Sequence, residues 1–154
     1  MLQPGDKVPT FSLPDADMDS VKLEAFLGNK NLIIYFYPKD DTPGCTMEAL
    51  DFTDLEPEFE AIDTVVLGIS RDTCISHGTF RDKYGLSVTL LADADGEVCE
   101  AFGVWQEKEA HGEKRMGIVR STFIVDKSGS LRHAFYDVKP KGHAKDVLEL
   151  VKAL

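Results

Sequence analysis

Residues 31 to 62 carry three chain signatures in succession, and their order constrains the fold more than any other feature of the sequence. Asn31–Tyr37 is an apolar, β-prone run containing Ile33, Ile34, Tyr35 and Phe36, which reads as a buried strand. Pro38 to Gly44 gathers turn formers and chain breakers. After it, Phe52, Leu55, Phe59 and Ile62 recur at helical spacing. Pro57 is expected to interrupt or restart that helix, because proline lacks the N–H that an interior position needs. One cysteine, Cys45, falls in or beside the first helical turn.

The same alternation continues along the chain. A short helix is predicted near Lys22–Leu27, strands at Thr64–Ser70 and Val88–Ala92, and helices at Thr73–Tyr84 and Gly96–Phe102. Glu107–Arg115 is charged and without period, an exposed loop or hairpin. Ser121–Asp126 and Leu131–Asp137 read as strands joined through Lys127-Ser-Gly-Ser, and His143–Leu154 as a closing helix with Val147, Leu148, Val151 and Leu154 on one face. This pattern implies an α/β fold, a mixed central sheet covered on both faces by helices. With 154 residues, 43% of them apolar, the chain is expected to form a single domain, 1–154, with a full core and no need of disulfide staples. Ligands of open α/β sheets gather at the strand C-terminal ends, where Tyr37 hands over to the Cys45 loop.

That position favours chemistry at sulfur. Unpaired N–H groups and the positive end of a helix dipole favour a thiolate over a thiol, and the thiolate is the nucleophile. Thr42 adds a hydroxyl, Pro43 rigidifies the helix entry, and Gly44 allows close approach to the backbone. The competing reading makes Cys45 a small packed residue. Asp40, Asp41, Thr42, Pro43 and Gly44 count against it, being residues of surface loops.

Charge narrows the partners. Seventeen basic against 27 acidic side chains give −10, which opposes binding to nucleic acid phosphates and anionic membranes. Three cysteines without a Cys-x-x-Cys, and His77, His111, His133 and His143 without close spacing, suggest a reducing compartment and no metal or other cofactor. Neither an export signal nor an apolar run of membrane-spanning length is apparent, so a cytoplasmic protein is expected.

Pro38-x-x-x-Thr42-x-x-Cys45 resembles the signature of the peroxiredoxins. The longer Phe36-Tyr-Pro-Lys-Asp-Asp-Thr-Pro-Gly-Cys-Thr46-x-Glu48 is similar to the peroxiredoxin Q, or bacterioferritin comigratory protein, branch. Gly5-Asp6-x-x-Pro9-x-Phe11, Gly68-x-Ser70-x-Asp72, Leu91-x-Asp93-x-x-Gly96 and Gly117-Ile-x-Arg120-Ser-Thr-Phe-Ile-Val-Asp126 stand in family order, so the resemblance spans essentially the whole chain. It implies a thioredoxin-like fold and a thiol-dependent peroxidase. Cys45 would be the peroxidatic nucleophile, passing through a sulfenic acid. Thr42 and Arg120 would be donors to the peroxide, Pro38 a shield against water, and the Gly44 and Cys45 N–H groups the rest of the pocket. Glu48 would orient Arg120, its alternative being a solvated carboxylate favoured by the helix dipole. Hydrogen peroxide and small organic hydroperoxides are the implied substrates, thioredoxin or another dithiol the reductant, and a monomer or weak homodimer the state.

The chain departs from the branch in the residues that would resolve the oxidised cysteine. Many members carry a second cysteine five residues after the first, where this chain has Leu50; others carry one on the helix after Gly-x-Ser-x-Asp, where Phe80 and Arg81 stand. Cys74 is the better candidate for a resolving cysteine; Cys99, on an apolar helix face with Val98 and Phe102, is expected to be packed. An enzyme without a resolving cysteine, served by an outside thiol, is the other possibility. The rival function is a thioredoxin-like thiol–disulfide oxidoreductase, but Glu48 occupies the place of its usual second cysteine.

Overall fold

The apolar run at Asn31 becomes the middle strand of a five-stranded sheet. The computed structural model describes all residues, Met1–Leu154. In chain order it contains β1 (Ser12–Pro14), β2 (Ser20–Lys22), a 3-10 turn at Leu23–Ala25, β3 (Asn31–Phe36), α1 (Pro43–Ala61), β4 (Thr64–Ser70), α2 (Cys74–Tyr84) and β5 (Thr89–Ala92). Next come α3 (Glu97–Ala101), β6 (Trp105–Ala110), β7 (Glu113–Ile118), β8 (Ser121–Val125), β9 (Leu131–Phe135) and α4 (His143–Lys152). The sheet order is β5-β4-β3-β8-β9, with β3, β4 and β5 parallel and β8 and β9 antiparallel.

Parallel strands need crossovers, and both crossovers step the same way, so their right-handedness sends α1 and α2 to one face. α4 joins them there. Ile33, Tyr35, Phe52, Phe59, Val66, Phe80, Ile124, Val147 and Leu148 form that core. The other face buries Leu32, Ile34, Phe36, Leu67, Phe102 and Phe123 under α3 and the N-terminal segment with Phe11 and Leu13. Alternate residues of β3 therefore serve opposite cores, which is why that strand is apolar without a break. The architecture is the expected thioredoxin-like α/β sheet, with the helices unevenly shared: three on one face, and one short helix with the β1–β2 hairpin on the other.

Pro57 corrects one expectation, since α1 runs through it from Pro43 to Ala61. Pro57 is exposed, while Phe52 and Phe59 on either side are fully buried. Burying a phenylalanine side chain is worth about 1.5–3 kcal/mol, so the pair offsets the ~3 kcal/mol cost of an interior proline. Glu107–Arg115, expected as a loop or hairpin, is the turn region of the exposed β6–β7 hairpin. No helix is long and apolar enough to cross a membrane.

Candidate active site

β3 ends in Phe36, and Tyr37 still donates its backbone N–H to the Ile69 carbonyl at 3.1 Å. The chain then turns through Pro38–Thr42 into α1. Thr42 is the N-cap, with extended backbone (φ −99°, ψ 155°), and Pro43 takes the first helical position, where its missing N–H costs nothing. The first backbone bond of the helix runs from Thr46 N–H to the Thr42 carbonyl at 2.8 Å. The Gly44 and Cys45 N–H groups precede it and have no helical acceptor, as expected of a helix start.

Cys45 is 1% exposed. Its sulfur accepts from Arg120 Nη2 at 3.3 Å, and Arg120 Nη1 donates to Glu48 Oε1 at 2.7 Å. Topology makes this possible: β8 is antiparallel to β3 with Ser121 opposite Phe36, so Arg120, one residue before Ser121, stands at the strand end where the Cys45 loop begins. The Val138 N–H anchors its carbonyl at 2.8 Å. Gly44 leaves room for the approach: a Cβ there would lie 3.2 Å from Arg120 Nη2, close enough to push the guanidinium aside by a few tenths of an ångström. Glu48 is fully buried, one helical turn beyond Cys45, which excludes the solvated alternative. The rival role for Arg120, an exposed strand-edge charge, is likewise not what the structure shows, its side chain being 14% exposed.

Burial pushes the Glu48 carboxyl up to about 7, against the opposing pull of Arg120. Its second oxygen, Oε2, is buried without a partner, as is Tyr35 Oη on the same face of the sheet. A carboxyl raised from 4.5 to about 7 on folding carries no penalty below pH 4.5, where both states are protonated, and acquires one as pH rises toward 7. Wild-type stability should therefore fall relative to Glu48→Gln between pH 5 and pH 8, by up to about 3 kcal/mol. Denaturant midpoints of the two proteins at those pH values check this, and parallel curves would refute it.

The other predicted residues are spread around this centre. Thr42 is half-buried, and its hydroxyl donates to the Lys39 carbonyl at 2.9 Å, which corrects the expectation of a donor to the peroxide: its one proton is engaged, and only its lone pairs are left to accept. Pro38 is half-buried and lines a surface cleft with Arg71, Trp105 and Met116. Cys74 opens α2, half-buried, behind the Thr73 cap, which accepts from Ser76 N–H. Because β3 and β4 are parallel neighbours, the loops bearing Cys45 and Cys74 leave the same edge of the sheet. Cys99 is fully buried in the core of the opposite face, its backbone N–H bound by Asp93 Oδ2 at 2.8 Å. Burial first, and Asp93 second, push its thiol far above the ordinary range. All three cysteines are free. Leu50 is half-buried against the α1 core, and Arg81 pairs with Asp17 and Asp82.

Sequence reasoning missed the surroundings of Asp40, which is buried and not a surface residue. Tyr37 Oη donates to it at 2.6 Å, and His77 Nδ1 lies 2.8 Å from it. Asp40, Asp72 and His77 place their ligand atoms within 4.8 Å of one another, a grouping invisible in histidine spacing. Ser76-His77 three residues after a Thr73 cap was the available signal. A surface cleft of about 480 Å³, lined by Asn31, Asp63, Asp126 and Lys127, lies where β3 begins, at the other end of the strand from Cys45.

Fixing a guanidinium and a carboxylate out of water beside one sulfur costs desolvation that packing alone would not require, so the fold and site define a thiol-based redox enzyme. The model of the AhpC/TSA family matches residues 4–134. Peroxiredoxin Bcp of Bacillus subtilis is 42% identical over 151 residues, covering 98% of this chain and 96% of the relative. Peroxiredoxin Bcp of Escherichia coli is 43% identical with the same coverage of both chains. A crystal structure of a cysteine-to-serine mutant of Xylella fastidiosa PrxQ superposes with a TM-score of 0.93 at 38% identity, covering 99% of this chain and 97% of the other. The bacterioferritin comigratory protein of Xanthomonas campestris, described for alkyl peroxide reduction, gives 0.87 at 43% identity, covering 93% and 90%. The chain belongs to the AhpC/TSA family and matches its peroxiredoxin Q branch; it is a thiol-dependent peroxidase.

Proposed function

We propose that Cys45 is the peroxidatic nucleophile of a single-domain cytoplasmic enzyme, a monomer or weak homodimer, that reduces hydrogen peroxide and small organic hydroperoxides in antioxidant defence. The observation that carries this reading is the double contact of Arg120, one nitrogen on Cys45 Sγ and the other on buried Glu48. The thiolate attacks the terminal peroxide oxygen: the S–O bond forms, the O–O bond breaks, and the departing oxygen takes a proton and leaves as alcohol or water. Arg120 Nη2 and the Gly44 and Cys45 N–H groups meet the charge developing on the oxygens. Thr42 Oγ accepts the hydroperoxide O–H, Glu48 orients Arg120, and Pro38 limits water.

A thiolate of thioredoxin or another dithiol then attacks the sulfenic sulfur, forming a disulfide and releasing water, and the second thiol of the dithiol frees Cys45. Should the chain resolve itself, Cys74 is the partner. It shares the sheet edge with Cys45, whereas Cys99 lies beneath the opposite face. Alkylation of the native reduced protein should accordingly modify Cys74 and spare Cys99; labelling of Cys99 before unfolding would contradict its placement.

The test is the intact mass of the reduced protein and its three single Cys→Ser variants after one equivalent of hydrogen peroxide. A loss of two hydrogens, absent in Cys45→Ser and Cys74→Ser, identifies the internal disulfide. A gain of oxygen that depends on Cys45 alone identifies an enzyme served by an outside thiol. No Cys45-dependent change would overturn the assignment.

A further inference from the structure

Cys45 is almost wholly buried, so once oxidised it meets a second thiol only if the first turn of α1 opens: a disulfide needs the two Cα atoms within about 4.4–6.8 Å. Besides the Arg120 contacts to Cys45 and Glu48, the loop entering that turn is tied down through the two aspartates before it. Asp40 accepts from Tyr37 Oη at 2.6 Å and Ser76 Oγ at 2.7 Å, and it lies 2.8 Å from His77 Nδ1. Its N–H donates to Asp72 Oδ2 at 2.9 Å, and Asp72 in turn accepts from Ser70 Oγ at 2.6 Å. His77 is fully buried, and its Nε2 is 2.9 Å from the Leu91 carbonyl, so the clasp is anchored to β5. Asp41 accepts from Lys83 Nζ at 2.7 Å and Tyr84 Oη at 2.5 Å. The loop entering α1 is thus tied to both ends of α2. Asp41 holds a left-handed backbone (φ 57°), a region that aspartate adopts more readily than most residues.

We propose that the buried Asp40–His77 clasp is a positioning device: it holds the Cys45 loop shut for the peroxide step and sets how often the oxidised turn opens to a second thiol. Asp41 contributes less, because it and Lys83 are exposed and solvent screens the pair. The clasp also reaches the turn that carries Cys74, since Ser76 and His77 come directly after it. This proposal rests on the reading of Cys45 given above.

Two fates of the sulfenic acid compete. In the open form, the thiolate of an added dithiol forms an S–S bond at Cys45, the S–O bond breaks and water leaves. In the closed form, the sulfenate attacks a second peroxide; a second S–O bond forms, the O–O bond breaks, water leaves and sulfinic acid remains. A looser clasp therefore shifts the product from sulfinic acid toward disulfide.

The test uses the full chain with His77→Gln, Ser76→Ala and, as comparison, Asp41→Ala. Hydrogen exchange of the reduced proteins is monitored over residues 38–50 and over α4, and the sulfinic acid fraction is measured by mass after excess hydrogen peroxide at fixed dithiothreitol. In His77→Gln, exchange over 38–50 should accelerate roughly tenfold or more, as for loss of one charge-assisted hydrogen bond. Exchange in α4 should stay unchanged, and the sulfinic fraction should fall severalfold. Ser76→Ala should move both readouts the same way by less, and Asp41→Ala least. If His77→Gln exchanges throughout, Ser76→Ala, altered at a half-buried position, decides. Wild-type exchange and wild-type sulfinic fraction in the folded variants would overturn the clasp. Failure of wild-type Cys45 to oxidise at all would overturn the peroxidase reading instead, and the exchange data on reduced protein would still judge the clasp.

Discussion

Cys45→Ser should abolish peroxide turnover while the protein stays folded, with a loss of at least about a thousandfold, the scale on which removing a nucleophile acts. Serine occupies nearly the same volume at this buried helix start, so the α1 core of Phe52 and Phe59 has no reason to move. A hydroxyl, however, is not ionised by a neighbouring guanidinium near neutral pH as a thiol can be. Arg120 would keep its bond to Glu48 and find a neutral oxygen where it had found sulfur. Peroxide consumption with thioredoxin, its reductase and the nicotinamide reductant measures the rate, and circular dichroism measures the fold. A folded variant that retains full activity would remove Cys45 from the mechanism.

Arg120→Leu should slow the peroxide step by about 10²–10³-fold, the usual effect of losing one preorganised donor at a site of developing charge. It should also weaken the fold. Breaking a buried pair by removing one partner costs about 3–5 kcal/mol when the other stays charged. Here Glu48, already raised to about 7 by burial, would escape part of that cost by binding a proton. The variant should therefore be less compromised at pH 5 than at pH 8. Arg120→Lys should recover only part of the rate, because an ammonium lacks the fork that spans Glu48 and Cys45. Adding Glu48→Gln to Arg120→Leu should restore stability at pH 8 and none of the activity. Single-turnover kinetics with denaturant midpoints tests both halves; an unchanged peroxide rate would exclude Arg120 from the site.

Much of this molecule is legible in one dimension because its signals are local. The unbroken apolar run at Asn31, the breakers at Pro38–Gly44 and the helical spacing from Phe52 to Ile62 specify strand, turn and helix through near-neighbour sterics and burial. Pro57 defeats such reading for a related reason: the local rule sees a missing N–H, whereas the helix persists because Phe52 and Phe59 anchor it on both sides. Arg120 is identified through resemblance, and nothing in its neighbourhood along the chain distinguishes it from an exposed strand-edge charge.

From Asn31 onward the order of the central strands and the helices could be read along the chain, as could the helix-start setting of Cys45 and the family pattern that links Thr42, Cys45 and Arg120; the β1–β2 hairpin could not. Tertiary structure alone decided that Glu48 is a buried partner and not a solvated carboxylate, that Asp40 is enclosed by Tyr37, Ser76 and His77, and that Cys99 lies beneath the face of the sheet opposite Cys45. The physical reason is sequence separation: Arg120 meets Cys45 across 75 residues and His77 meets Asp40 across 37, so which groups share a low-dielectric pocket is set by strand register and helix packing.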